Sequence, residues 1–254
     1  MVLPNKFKIA FKIISASVAG IFLFSLTFSF IFAGSVAIAK TDQGSPDRAY
    51  SPFEIRKTNI KDTKFTISWR TLKNTGGSLM YGDAPSCEQV AFDDRGKNLS
   101  AKLHYITVRN LNPNTVYYYK IISENKAYQN NDQPFNLTTG SSIMATGSDV
   151  AYGRVYGRKN MPYTDSAIVY LTLRDKDGAG SQGFSSPVSV LTDRNGYWSY
   201  ELKNFREENL DTLFTYSDVG DALAIEVQIE SSNNAISLEV DTRDDSPVKD
   251  IVVE

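Results

Sequence analysis

His104 and Cys87 are the only imidazole and the only thiol in the 254 residues. A zinc site of the usual nitrogen and sulfur type needs three or four such ligands, so one chain cannot assemble it. A pair of histidines is excluded for the same reason, and an internal disulfide needs a second cysteine. A nucleophilic triad requires an activated serine beside its histidine, and no Gly-x-Ser-x-Gly turn occurs. His104 lies in Lys102-Leu103-His104-Tyr105-Ile106, at the entry of an alternating run, where it reads as a packing or surface residue. Among 29 acidic residues no spacing singles out a pair for acid–base work. No catalytic residue is assigned.

Calcium is the better metal question, because Asp175-Lys176-Asp177-Gly178, Asp193-x-Asn195-Gly196 and the run Asp241 to Asp245 are rich in oxygen ligands. Counted from Asp175, however, the fifth and twelfth positions of a helix-loop-helix calcium site fall on Ala179 and Ser186. Asp/Gly turns account for the first two segments without a metal. Neither a metal nor a cofactor is assigned. Tyr118, Tyr128, Tyr152, Tyr163 and Tyr197 fall on outward positions by alternation and are candidates for sugar or protein contact, which needs two or three of them side by side. The Arg-Gly-Asp adhesion tripeptide is absent, since Asp94-Arg95-Gly96 has the wrong order. The sequons at Asn98 and Asn136 matter only in a secretory-pathway host.

Two kinds of segment must carry these residues. Residues 13–39 hold no charged side chain. As a helix this run would be about 40 Å long, enough to cross a bilayer with tilt. Lys6, Lys8 and Lys12 precede it and Asp42 and Asp47 follow it, which places the N-terminus in the cytoplasm and residues 41–254 outside. Two fates stay open. The length favours an uncleaved signal anchor, whereas Ala37-Ile38-Ala39 fits a cleavage site that would release a secreted protein. Residues 41–254 carry 23 basic and 29 acidic side chains, divided as net +3 over 41–147 and net −9 over 148–254. That division predicts two modules with different surfaces and excludes nucleic acid as a partner, which wants a clustered basic face.

From residue 50 onward, short alternating runs rich in Val, Ile, Thr, Tyr and Phe recur between Gly, Asn, Asp and Pro clusters, the pattern of an all-β chain. In Lys64 to Thr71, Phe65, Ile67 and Trp69 share one face and Thr66, Ser68 and Arg70 the other, predicting a half-buried strand. Tyr117, Tyr119 and Ile121 share a face in the same way. The stretch from Asn125 to Gln133 reads as a loop, 135–138 as a short last strand and 143–148 as a polar linker. The expected order is a membrane-targeting segment (1–40), a tether (41–50) and two tandem immunoglobulin-like β-sandwich domains (51–142 and 149–254).

Ser51-Pro52, Trp69, Leu79-Met80-Tyr81-Gly82, Leu111-x-Pro113-x-Thr115-x-Tyr117 and Phe135-x-Leu137-Thr138-Thr139 together resemble a fibronectin type III domain, most closely the module that precedes the catalytic domain of purple acid phosphatases. The resemblance implies that Tyr117 is the tyrosine corner and that Trp69 is the central core aromatic, both structural. Gly153 to Gly157, Ala167 to Leu171 and Val190 to Trp198 resemble the carboxypeptidase regulatory-like, transthyretin-related β-sandwich. Here the resemblance implies a tight turn with Asp193 as acceptor and Gly196 at positive φ, followed by Trp198, Tyr200 and Leu202 in the core.

The expectation is a non-catalytic surface protein. Its two sandwiches would form a rigid rod of binding or spacer modules, held to the membrane by the N-terminal helix and recognising protein or polysaccharide at the cell envelope. Two alternatives stand beside it: an accessory or truncated portion of an extracellular hydrolase, phosphatase-like or peptidase-like, lacking its catalytic domain, and an envelope subunit that polymerises by strand exchange.

Overall fold

The structure, a computed structural model, describes residues 46–157, 161–163 and 165–253. The expected N-terminal helix lies outside them. Among the described residues no helix is long and apolar enough to cross a membrane. What is described is all-β, with two hydrophobic cores.

The first core is wrapped by β1 (Phe53–Thr58), β2 (Lys64–Gly82), β3 (Gln89–Phe92), β4 (Ser100–Arg109), β5 (Val116–Ser123), β6 (Lys126–Tyr128) and β7 (Phe135–Thr138). The long β2 serves both layers. Its first half pairs with β1 and β4, its second half with β3 and β5, and the register with β4 shifts between Arg70 and Thr75. Alternation then brings Phe65, Ile67 and Trp69 of the first half against Leu79, Tyr119 and Ile121 of the other layer. β6 corrects the expected loop at Asn125 to Gln133. Glu124 and Asn125 both take positive φ, 47° and 61°, which turns β5 back on itself in a tight hairpin.

The second core is enclosed by β8 (Val150–Tyr156), β9 (Ile168–Arg174), β10 (Val188–Leu191), β11 (Tyr197–Glu201), β12 (Ala222–Gln228), β13 (Ile236–Asp241) and β14 (Ile251–Val252). They form a four-stranded sheet in the order β10-β9-β12-β13 and a three-stranded sheet in the order β11-β8-β14. Val169, Leu171 and Leu173 from β9 and Leu223, Ile225 and Val227 from β12 meet Trp198, Phe205 and Val155 between the sheets.

The expected half-buried strand is buried on both faces. Thr66, Ser68 and Arg70 are covered as completely as the inward Phe65, Ile67 and Trp69, and β12 is buried along its whole length. The reason is that the outer face of β1-β2-β4 packs on the outer face of β10-β9-β12. The two sandwiches therefore stack face to face, in place of the rod expected from the sequence. Leu103, Tyr105, Ile168 and Tyr170 form a small apolar cluster in the seam.

Around that cluster the contacts are polar and paired. Asn59 Nδ2 reaches the Ser189 carbonyl at 2.8 Å, and Ser189 N–H donates back to Asn59 Oδ1 at 3.1 Å. The Tyr105 hydroxyl donates to the same Ser189 carbonyl at 2.8 Å. The Tyr170 hydroxyl lies 2.8 Å from Ser68 Oγ and donates to Gln228 Oε1 at 3.0 Å, and Gln228 Nε2 donates to Glu54 at 2.7 Å. Arg56 pairs with the buried Glu226 and lies over the Tyr170 ring at 4.3 Å. Arg70 Nη1 donates to the Ile229 carbonyl at 3.2 Å.

A paired hydrogen bond contributes only about 1 kcal/mol net, but stripping a partner from a buried group costs about 1–3 kcal/mol. The seam is therefore more costly to break than to leave unformed. Tyr170→Phe, which strips the partner from Ser68 Oγ and from Gln228 Oε1 while keeping the ring, is expected to lower unfolding stability by about 1–3 kcal/mol in urea denaturation. An unchanged midpoint would show that the seam does not contribute to stability.

Candidate functional site

His104 faces the first core. It is fully buried, opposite Trp69 in the β2–β4 register, and stacked on the indole at 4.8 Å between centroids. The stack lies against Gly77, where an added Cβ would come within 2.4 Å of His104 Nδ1. The nearest carboxylate, Asp93, is 3.9 Å from Nδ1 and is already held by Arg95 and by the Tyr105 N–H. Burial pushes the imidazole down to about 4, so the ring is neutral, closed to solvent and without a nucleophile to activate. A packing role is what the geometry permits.

The residues singled out as structural are placed as follows. Trp69 is fully buried in the first core. Tyr117 is buried, and its hydroxyl accepts the Asn112 N–H at 3.0 Å, tying the strand to the corner loop before it. Asp193 Oδ1 accepts the N–H groups of Asn195 at 2.8 Å and Tyr197 at 2.9 Å. Gly196 has φ +80°, and a Cβ there would sit 2.1 Å from the Val155 carbonyl oxygen, so no other residue fits. Trp198 is buried over Gly153, its partner in the β11–β8 register, where a Cβ would approach the indole to 3.0 Å.

The acidic segments behave less locally. Asp175 and Asp177 are joined by Asp221 from the start of β12, and one carboxylate oxygen from each lies within 4.8 Å of the others. Asp221 is not adjacent in sequence and was missed. Its two oxygens accept the N–H groups of Lys176 and Ser217, both at 2.9 Å, while Asp175 and Asp177 accept those of Gly178 and Ala179 at 2.8 and 2.7 Å. These carboxylates close turns through backbone donors. In the third acidic run, Asp245 is buried with Oδ2 unpartnered. Burial and the neighbouring Asp149 raise its pKa to about 6.

The five tyrosines separate. Tyr163 is buried, correcting its outward assignment, and Tyr118 and Tyr128 are half-buried. Tyr152 and Tyr197 are exposed at 42% and 50%. They share the outer face of β11-β8-β14 with Val150, Arg154, Tyr156 and Val252. Arg154, unremarked in the sequence, is the centre of this face. Its guanidinium carbon lies 4.5 Å from the ring centres of both Tyr156 and Tyr197. Nε donates to the Asn195 carbonyl at 2.8 Å and Nη1 to the Tyr156 hydroxyl at 2.7 Å. These contacts hold a guanidinium in place on a solvent-facing sheet.

Residues 52–139 match the family model of the purple acid phosphatase N-terminal domain. The first sandwich is a fibronectin type III-like module. A redesigned β-sandwich protein from a computer-based design study is 30% identical over 35% of this chain and 94% of its own, with a TM-score of 0.26. The FN1-FN3 domains of chicken CNTN1 align at 12% identity over 75% of this chain and 64% of theirs, TM-score 0.28. A two-domain fibronectin type III segment of chicken tenascin aligns at 13% identity over 75% of this chain and 98% of its own, TM-score 0.21. Among curated proteins none matches.

Two outcomes follow. Tyr117→Phe, which leaves the Asn112 N–H without its acceptor, is expected to destabilise the protein by about 1–3 kcal/mol in chemical denaturation. His104 and Asp245 should give stability opposite pH slopes. A histidine at about 4 when folded and about 6.5 when unfolded takes its proton first in the unfolded state, so stability declines as pH falls from 6.5 to 4, by about 3 kcal/mol in full. Asp245 binds its proton more tightly when folded, so its contribution is lost as pH rises from about 4 to about 6. Asp245→Asn is therefore expected to raise the melting temperature at pH 7 and to leave a steeper acid decline, read by calorimetry between pH 4 and 7.

Proposed function

We propose that this chain is a non-catalytic recognition and spacer protein of the cell envelope, with its sandwiches outside the membrane and residues 13–39 as the anchor or targeting segment. The observation that carries the reading is the seam. A face of β1-β2-β4 that could have been a surface is spent on joining the second sandwich, which makes a stiff two-module body. The far sheet, β11-β8-β14, keeps a solvent-facing group held in place around Arg154. The buried titratable groups serve packing, and no described arrangement pairs a nucleophile with a base. Contact is therefore the mechanism this geometry supports.

A second reading is favoured by one observation, the match of residues 52–139 to the purple acid phosphatase N-terminal domain. On that reading the chain accompanies a hydrolase and positions it at the surface.

The full-length protein, purified in detergent, is expected to bind isolated envelope material of its host saturably in a sedimentation assay. When tagged in cells, it is expected to be cut by external protease within residues 41–254. Absence of saturable binding together with protection from external protease would overturn the recognition reading. Phosphatase activity that co-purifies stoichiometrically with the tagged chain would favour the hydrolase-accessory reading.

A further inference from the structure

We propose that the outer face of β11-β8-β14 is a binding site for an acidic oligosaccharide, with Arg154 as the group that grips a sugar carboxylate and Tyr152 and Tyr197 as the flanking aromatic walls. The inference rests on the recognition reading above and gives it a ligand class.

The case begins with the guanidinium. Two hydrogen bonds, to the Asn195 carbonyl and the Tyr156 hydroxyl, and two aromatic rings at 4.5 Å fix its plane. Among the described residues Nη2 has no partner, and Nη1 keeps a second N–H. Among the described residues Arg154 makes no ion pair, although carboxylates outnumber cations in this half of the chain. Within the three strands the carboxylate on this face, Glu201, is occupied by Ser148 and by the N–H groups of Asp149 and Lys203, and the exposed Asp250, which the register brings level with Arg154 just before β14, forms no ion pair with it among the described residues. A guanidinium presents parallel N–H donors that match the two oxygens of a carboxylate, and one held rigidly loses little freedom on binding it. The chemistry required of the ligand is thus an anion with paired oxygens beside an apolar surface that can lie on tyrosine.

The size of the face selects a glycan over a protein. The seven residues of β8, five of β11 and two of β14, at about 3.3 Å along and about 4.8 Å across each strand, give roughly 220 Å². A stable protein interface needs about 800 Å² from each partner. An extended acidic peptide would seek the backbone donors of a sheet edge, and a sheet face offers only side chains. A uronic acid supplies the carboxylate and, on its ring, the C–H face that packs on an aromatic. Because residues 148–254 are net −9, attraction of a polyanion by charge alone is disfavoured, and binding would report a specific fork.

The test titrates full-length protein in detergent with oligogalacturonate, with the same oligomer fully methyl-esterified, and with polyglutamate. Saturable binding is expected for the free acid alone. Arg154→Lys keeps the charge but loses the fork and should weaken binding at least tenfold. Tyr152→Ala, at an exposed position, should weaken it with an unchanged melting temperature, which separates loss of the site from loss of fold. Equal binding of acid and ester, polyglutamate bound as tightly as the uronate, or unaltered affinity in Arg154→Lys would each overturn the proposal. If the protein binds host envelope material but no oligogalacturonate, the ligand class falls and the recognition reading stands. If it binds neither, the ligand class falls, and the recognition reading falls with it when the chain is also protected from external protease.

Discussion

Burial of Asn59, Tyr105, Tyr170 and Ser189 between two sheet faces removes a set of hydroxyl, amide and carbonyl groups from water, and each must find a partner in the opposite sandwich. The apolar part of the seam, four side chains, is too small to act as a core by itself. What makes it binding is reciprocity. Asn59 and Ser189 exchange donors and acceptors, and Tyr170 bridges Ser68 to Gln228. In a low-dielectric setting such a set is costly when half-made and rigid when complete. Arg56 and Glu226 add a mostly buried ion pair whose value lies in fixing register more than in net stability.

The rest of the molecule follows from that constraint. Once β1-β2-β4 and β10-β9-β12 cover each other, each sandwich retains one sheet facing outward. In the second sandwich that sheet is β11-β8-β14, and its alternate residues either fill the core or line the exposed face. Trp198 lies flat against the glycine opposite it, so the strand can hold a large ring inside while Tyr152, Arg154 and Tyr156 stand outside. The Trp69–His104 stack against Gly77 is the same device in the first sandwich. In both, a missing Cβ makes room for the largest core side chain.

The chemistry is thereby distributed in a recognisable way. Burial displaces the pKa values of His104 and Asp245, and both are enclosed, so their titration acts on stability. The acidic turns at Asp175, Asp177 and Asp221 spend their oxygens on backbone donors. On the solvent-facing side, the Arg154 guanidinium is held between the Tyr156 and Tyr197 rings.

Alternation of apolar and polar residues over five to eight positions is a local property, so the strands around Trp69, Tyr117 and Trp198 were legible in the sequence, as was the all-β class. The turn at Asp193 and Gly196 was legible too, because Asx acceptors and positive φ act within four residues. The Leu-x-Pro-x-Thr-x-Tyr run likewise marked the first module. Tertiary structure alone decided what covers the polar face of β2. Thr66, Ser68 and Arg70 read as solvent-facing because what covers them lies far off in the chain, Ser68 meeting Tyr170 and Arg70 meeting Ile229, each more than 100 residues away, and a period of two cannot distinguish a face that meets water from one that meets a complementary polar surface. For the same reason Asp221 joined Asp175 unannounced, and Tyr163 moved from surface to interior. Arg154 gained its role only when strand register set Tyr197 across from it.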